Sequence, residues 1–405
     1  MRPKSDHKGP APLLLLKEAL EYYYLKGFAA DRALNETFRH HKLRDERLRA
    51  DLAKRLYGII RFRRPIVTAI GEERFETTDD LKLLVDTFNK FKKIYKGEEL
   101  PGKDEPIVQK LMKYMRVRKM RESFDDFFDE LALKELGEEK WNEVSAELNR
   151  DPRLFLRVNT LKTTKAELIA LLKAEGMNFS DVNGGEEALM SDEFYNVFTS
   201  DAFHQGFFEI QDISSQQVSQ FCDLKSGLRV LDACAGNGGK TLHLAALMKN
   251  KGKIIAMDVS ERKLDELRSR CVRNGVDVVE TKLVNAKTNF DEMKNTFDRV
   301  LIDIPCSGTG VMKRNPDIKW RFDARNLQEL QLQQQNILNT YAQLVKPGGK
   351  LIYASCSILP SEGEMQIKKF LESADGGEKW EKEDEIRIDP SFGDGFFMCR
   401  LKKIS

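Results

Sequence analysis

Residues Leu228 to Thr241 read "LRVLDACAGNGGKT", an apolar run, a turn rich in glycine, and then residues suited to the start of a helix. Gly236, Gly238 and Gly239 permit dihedrals that a side chain would forbid and let backbone approach a ligand closely. Taken alone, the turn also fits a nicotinamide dinucleotide or a plain tight turn. Lys240-Thr241 follows too few loop residues for the Walker spacing, which puts phosphate transfer behind. Asp258 ends the next apolar run, roughly 20 residues on, and suits a ribose diol. Nucleoside binding is the better reading.

Outward from this turn, the chain from about Gln211 alternates strand and helix. "LRVLDA", "GKIIAMD", "VVETKLV", "FDRVLID" and "GKLIYAS" are short apolar runs separated by helical segments such as "SERKLDELRSRCVRNG". That alternation predicts a parallel, doubly wound sheet with ligands at the carboxyl ends of its strands. Around Asp151, "RLFLRVNTL" reads as a strand, "TKAELIALLKAEG" as an amphipathic helix and "GGEEALMSDEFYNVF" as an irregular connection. Residues 13 to about 150 read as helices. In "DERLRADLAKRLYGIIRFRR", Leu48, Leu52, Leu56 and Ile59 recur at helical spacing behind a capping Asp45. Its other faces carry Arg44, Arg47, Arg49, Lys54, Arg55, Arg61, Arg63 and Arg64, either a solvated surface or a phosphate-contacting patch. "KKIYKGEELPGKDEP" reads as a loop.

The 405 residues allow about two or three domains. A hydrophobic share of 41% with 33% charged residues suits a globular protein, and we expect it in the cytoplasm. A formal charge of +2 means that nucleic-acid binding must come from local clusters of basic residues. The six cysteines form neither a CxxC pair nor a dense framework, so reduced thiols are expected and no metal.

"DIPC" places Asp303 and Cys306 after the fourth strand, and "YASCS" places Cys356 after the fifth. Adjacent strands in such a sheet would bring both thiols to one edge. Alkylation of an exocyclic amine needs no nucleophile, so this pair favours carbon methylation. Carbon 5 of cytosine is a poor nucleophile until a thiolate adds to carbon 6. Asp303 is the right kind of group to assist at ring nitrogen 3. Such a thiol is expected to have its pKa lowered from about 8.5. Cys222, Cys234, Cys271 and Cys399 lack that context and read as structural.

Together with "QDISSQ", "DIPCSGTGVMKRNPDIKW", "YASCSILPSEGE" and "GFFMCRLKK", these stretches closely resemble the Sun family of RNA 5-methylcytosine methyltransferases over about residues 211 to 403. The helical start and "FLRVNTLK" resemble its RsmB-like branch, which acts on small-subunit (16S) ribosomal RNA. The resemblance implies an all-α, NusB-like RNA-binding domain over 1–148, a small α/β, RRM-like connecting domain over 149–210, and a Rossmann-like methyltransferase domain over 211–405. It implies S-adenosyl-L-methionine as cofactor. Cys234, Ala235, Gly236, Asn237, Gly238, Gly239 and Lys240 would hold its methionine part, Asp258 its ribose and Asn285 its adenine, with Asp303 also touching it. Cys356 would attack, Cys306 would assist release of the methylated base, and Asp303 would orient it.

Asn237 stands where the family usually has proline, Asn285 where it has aspartate, Lys263 where arginine is frequent, Ser355 where threonine is common, and Gly363 where asparagine is frequent. An amide at residue 285 lacks a carboxylate's charge assistance, and Gly363 weakens the side-chain support of its turn. An unpaired, flipped cytosine is the expected target. "KRNPDIKWRF" could serve it with Lys313, Arg314, Lys319, Arg321, Trp320 and Phe322, unless Trp320 instead packs the loop onto the sheet. His40 and His41 read as surface residues. A monomer is expected. The alternatives are a transfer RNA cytosine-5 methyltransferase and an RNA-binding ribosome assembly factor with weakened catalysis; a nicotinamide-dependent oxidoreductase is disfavoured by the cysteine turns.

Overall fold

The computed structural model describes residues 11–71, 77–182, 185–373, 377 and 379–404. The lysine-bearing start before "LLLL" and Gly184 of the "GGEEALMSDEFYNVF" stretch lie outside the described residues. The chain forms two compact units. One runs to Asn149 and includes Arg314–Asp323; the other takes Arg150–Lys313 and the chain from Ala324 onward.

The first unit is helical. Asp45 accepts from Arg47 N and Leu48 N and so starts the helix Glu46–Arg61, satisfying amides that have no partner within the helix. Leu52, Leu56 and Ile59 then face a core shared with Leu16, Leu20 and Phe91. The basic faces of this region are largely used inside the unit. Arg61 is buried, Arg55 pairs with Asp51, Arg64 pairs with Asp126, and Arg63 lies over the Tyr24 and Trp320 rings. "KKIY" belongs to the helix Thr78–Tyr95, and the loop begins only after it.

Arg314–Asp323 belongs to this helical unit, although the sequence places it within the sheet-bearing region. Lys319 is fully buried and donates to the carbonyls of Arg61 (3.3 Å) and Glu122 (2.9 Å) and to Asn149 Oδ1 (2.6 Å). Trp320 Nε1 donates to the Ile60 carbonyl (2.7 Å), and Phe322 packs on Phe127 and Phe128. The expectation that Lys319 contacts phosphate is therefore overturned, because its ammonium is buried and bonded within the helical unit. Trp320 is half-buried and packs against the core of that helical unit. Lys313 is also buried, its Nζ facing the Ser391 and Gly393 carbonyls.

The second unit holds two sheets. The smaller has β1 (Leu154–Val158), β2 (Ser180–Asp181), β3 (Ala188–Ser191) and β4 (Phe208–Ile210), in the order β2-β3-β1-β4 with every pairing antiparallel. With the helix Lys165–Ala174 after β1 and the short helix Asp201–His204 before β4, this is the split βαβ, ferredoxin-like arrangement. A capping box between Thr164 and Glu167 starts the longer helix. The stretch expected to be irregular thus contains β3. Ala188 and Leu189 are buried there, while polar residues on both sides, Glu186 and Glu187 before and Asp192 and Glu193 after, hid so short a strand in the sequence.

The larger sheet has β5 (Arg229–Asp232), β6 (Lys253–Asp258), β7 (Val279–Leu283), β8 (Phe297–Asp303), β9 (Val345–Ser355), β10 (Trp380–Ile388) and β11 (Phe396–Lys403). Among the described residues its order is β10-β11-β9-β8-β5-β6-β7. The five strands from β5 to β9 are parallel, which is the Rossmann-like part. β11 runs antiparallel to β9, and β10 antiparallel to β11, so the sheet is mixed and not wholly parallel as expected. The cause is legible in β10. Glu381 to Glu385 face solvent at the sheet's edge, and a charged edge strand has no apolar pattern to betray it.

Candidate active site

Parallel pairing of β8 with β9 sets Asp303 opposite Ala354. The turns that follow them leave the sheet side by side. Cys306 Sγ and Cys356 Sγ lie 3.1 Å apart, both half-buried. Gly310 makes this closeness possible: its N donates to the Cys356 carbonyl (2.9 Å) and its carbonyl accepts from Gly395 N (2.9 Å). A Cβ at Gly310 would stand 2.0 Å from the Gly395 oxygen, so only glycine fits.

A polar network joins the same two turns. Glu362 accepts from Ser307 N (2.8 Å), from the Ser307 hydroxyl, from Ser357 Oγ (2.6 Å) and from Gln334 Nε2 (3.0 Å). Sequence reading gave these residues no role, although Ser307, Ser357 and Glu362 lie inside the quoted "DIPCSGTGVMKRNPDIKW" and "YASCSILPSEGE" stretches, because only the fold collects them. The asparagine frequent in the family at position 363 would not fit here. A Cβ on Gly363 would lie 2.8 Å from the Phe397 ring and from an Arg387 nitrogen.

Lys240 Nζ pairs with Asp303 Oδ2 at 2.7 Å, and both side chains are largely sheltered. Burial works against the ammonium, but the Asp303 charge and hydrogen bond leave Lys240 above its ordinary range. The Cys306 hydrogen bond, then burial and the Asp303 carboxylate, hold the Cys356 thiol well above its ordinary value, with Lys240 pulling the other way. This reverses the expectation of a lowered thiol: a neighbouring sulfur and a carboxylate both oppose a thiolate.

The glycine turn sits at the end of β5, beside these groups. Asp258 Oδ2 accepts from Gly236 N and its Oδ1 from Ser260 N, both at 2.9 Å, so the carboxylate is fixed at the end of β6. Gly238 has φ +84°, and a Cβ there would meet Leu267 Cδ1 at 2.0 Å. Beside Gly236, by contrast, no atom lies within 4 Å of a Cβ position. Ala235 is buried, and Asn237 is exposed with its carbonyl bonded to Arg270 (2.7 Å). Burial pushes the Cys234 thiol up, which keeps it protonated and inert.

Lys263 lies half-buried in the helix Glu261–Asn274 that follows Asp258. Asn285 stands at the end of β7, where Val284 N donates to the Asp258 carbonyl (3.1 Å); its own Oδ1 accepts from Lys287 N (2.9 Å). One of that oxygen's two acceptor positions is therefore already used locally.

Two further residues clamp the turn and were not singled out in the sequence. Arg157 of β1 is buried and donates to the Gly239 carbonyl (2.6 Å) and to Gln211. Arg270 pairs with the buried Glu209 at 2.7 Å while holding Asn237. An arginine inside the apolar run "RLFLRVNTL" was the available signal. Asp232 is fully buried and bonded to Thr241 Oγ1 (2.7 Å). Burial pushes its pKa up to about 7, against the Thr241 hydrogen bond and with Asp303 adding to the rise.

An open sheet whose glycine turn and paired thiols meet at one edge belongs to the class of Rossmann-like methyltransferases. More particularly, the chain belongs to the 16S rRNA methyltransferase RsmB/F family, whose description matches residues 220–401. The ferredoxin-like domain of RsmF/B-like methyltransferases matches residues 114–198. Ribosomal RNA small subunit methyltransferase B of Klebsiella pneumoniae (strain 342) is 33% identical over 280 residues, 67% of this chain and 64% of its own length. The chain thus spans just under two thirds of that relative. The "Probable ribosomal RNA small subunit methyltransferase B" of Synechocystis sp. (strain ATCC 27184 / PCC 6803 / Kazusa) is 32% identical over 303 residues, 69% of this chain and 67% of its own. Among solved structures, PH0851 superposes with a TM-score of 0.79 at 26% identity, covering 97% of this chain and 99% of that one. A methyltransferase homolog protein from Pyrococcus horikoshii gives 0.63 at 26% identity, covering 72% and 99%. No helix among the described residues is long and apolar enough to cross a membrane.

Proposed function

We propose that the protein transfers a methyl group from S-adenosyl-L-methionine to carbon 5 of an unpaired cytosine in RNA, with small-subunit ribosomal RNA as the substrate. The observation that carries this reading is the 3.1 Å approach of Cys306 and Cys356 beside Asp303. The names of the relatives support the ribosomal substrate. In this reading the helical unit is a NusB-like RNA-binding domain, and the protein works as a monomer.

The residues around the glycine turn fit the cofactor. Asp258 presents a fixed carboxylate at the end of β6, the space beside Gly236 is open, and Asn285 stands at the neighbouring strand end. When bound there, S-adenosylmethionine supplies the methyl group as an electrophile. Ala235 and the backbone of Cys234 to Lys240 would line the methionine side, with Asp258 on the ribose, Asn285 on the adenine and Lys263 as a further cofactor contact.

The chain's own groups do the rest. Cys356 Sγ, once deprotonated, adds to carbon 6 of the base, which makes carbon 5 nucleophilic. Lys240 is the cation that favours the thiolate, and the proton given up by Cys356 ends on ring nitrogen 3, which then donates to the Asp303 carboxylate. After transfer, Cys306 assists removal of the carbon 5 proton, and Cys356 leaves from carbon 6. Cys356→Ala is expected to abolish methyl transfer, whereas Cys306→Ala accumulates a covalent protein–RNA adduct that persists in denaturing gels. Full activity in both variants would refute the reading.

A further inference from the structure

A carboxylate with no exposed surface is costly unless it is fully hydrogen-bonded. Glu362 is 0% exposed. Its Oε1 accepts from Ser307 N and Gln334 Nε2, and its Oε2 accepts from the hydroxyls of Ser357 and Ser307. Ser307 directly follows Cys306, and Ser357 directly follows Cys356. One carboxylate therefore grips both cysteine turns at the residues next to the sulfurs.

We infer that Glu362 is a positioning residue that holds Cys306 and Cys356 in reacting register, an inference that rests on the function proposed above. The network fixes its polarity. Ser357 Oγ accepts from Leu359 N (3.1 Å) and meets Thr309 Oγ1 (2.9 Å), which itself accepts from Ile358 N (3.1 Å). Thr309 Oγ1 also accepts from the Ser307 hydroxyl (3.3 Å), so it directs its own proton to Ser357. With Ser357 already accepting from the backbone and from its Thr309 contact, its own proton goes to Glu362. A carboxylate meets that demand with four acceptor sites; an amide offers an NH2 group where acceptors are required. Glu362→Gln thus keeps the shape and breaks the hydrogen bonding. Gly363 cannot share the task, because the Phe397 ring occupies the space for a side chain there.

The test uses the full chain and 2,2′-dithiodipyridine. The first thiol to attack forms a mixed disulfide and releases one thiopyridone. The second thiol then displaces the other thiopyridone and closes the disulfide, so both thiols are oxidised and the reagent is reduced. The rate of that second step reports how well the two sulfurs are juxtaposed, and peptide mass spectrometry isolates the link between residues 306 and 356. Glu362→Gln and Ser307→Ala are each expected to slow it about tenfold or more, with less than additive effect in the double variant. The kcat for methyl transfer should fall by a similar factor while KM for RNA stays within about twofold. Thermal melting checks that each variant is folded, and Ser357→Ala stands in for any that is not. A wild-type kcat in folded Glu362→Gln overturns the inference, whatever the linking rate. If Cys356→Ala methylates RNA like the wild type, the proposed function falls and the inference falls with it. If Cys356→Ala is inactive and Glu362→Gln is not impaired, only the inference falls.

Discussion

Lys240 and Asp303 should move the reactivity of Cys356 in opposite directions. Their atoms lie 2.7 Å apart, with side chains 11% and 31% exposed. A charge-assisted hydrogen bond of this kind contributes about 2 kcal/mol, so each partner largely offsets the other's charge. Asp303 raises the Cys356 pKa and Lys240 lowers it. Lys240→Met removes the favourable cation and leaves the carboxylate unneutralised, so both effects push the thiol further up. Asp303→Asn removes the unfavourable anion and leaves the ammonium, so the thiol comes down. Partial exposure screens both, leaving an about tenfold change in thiolate fraction each way.

Alkylation of Cys356 by iodoacetamide, followed by peptide mass spectrometry between about pH 7 and about pH 9, measures that fraction. Because the wild-type thiol is held above its ordinary value, its rate should climb about tenfold per pH unit across the window. At any one pH, Asp303→Asn should react about tenfold faster and Lys240→Met about tenfold slower. Methyl transfer should fall in both, since each loses a group that faces the base or the thiolate. Two variants shifting the same way, or a wild-type rate that levels off below about pH 8, would sink the electrostatic account.

Gly238→Ala should weaken S-adenosylmethionine binding at least about tenfold in calorimetry, because φ +84° and the Leu267 contact both oppose a Cβ. Adding Leu267→Ala removes the contact but not the backbone strain, so recovery should be partial; unchanged affinity in the single variant would show that the turn does not hold the cofactor. Lys319→Met leaves three buried acceptors without their donor, costing about 2–3 kcal/mol. Scanning calorimetry should then show the helical unit melting roughly 5–10 °C lower, and an unmoved transition would contradict the buried role of that lysine.

What the sequence alone determined about this protein was whatever local pattern encodes. The apolar runs from β5 to β9, the glycine turn, the cap at Asp45 and the helix in "TKAELIALLKAEG" depend on neighbours a few residues apart, and they are where the pattern puts them. Cys306 and Cys356 could be paired on paper because consecutive parallel strands are commonly neighbours. Tertiary structure decided the rest. Strand β10 was invisible because an edge strand can be charged throughout. Lys319 and Trp320 looked like RNA contacts because a basic, aromatic segment has the same composition whether it meets phosphate or a helical core. The rise in the Cys356 pKa and the grip of Glu362 on both turns arise from burial and from charges brought together across long stretches of chain. Neither burial nor such a meeting of distant charges is a property of any short segment.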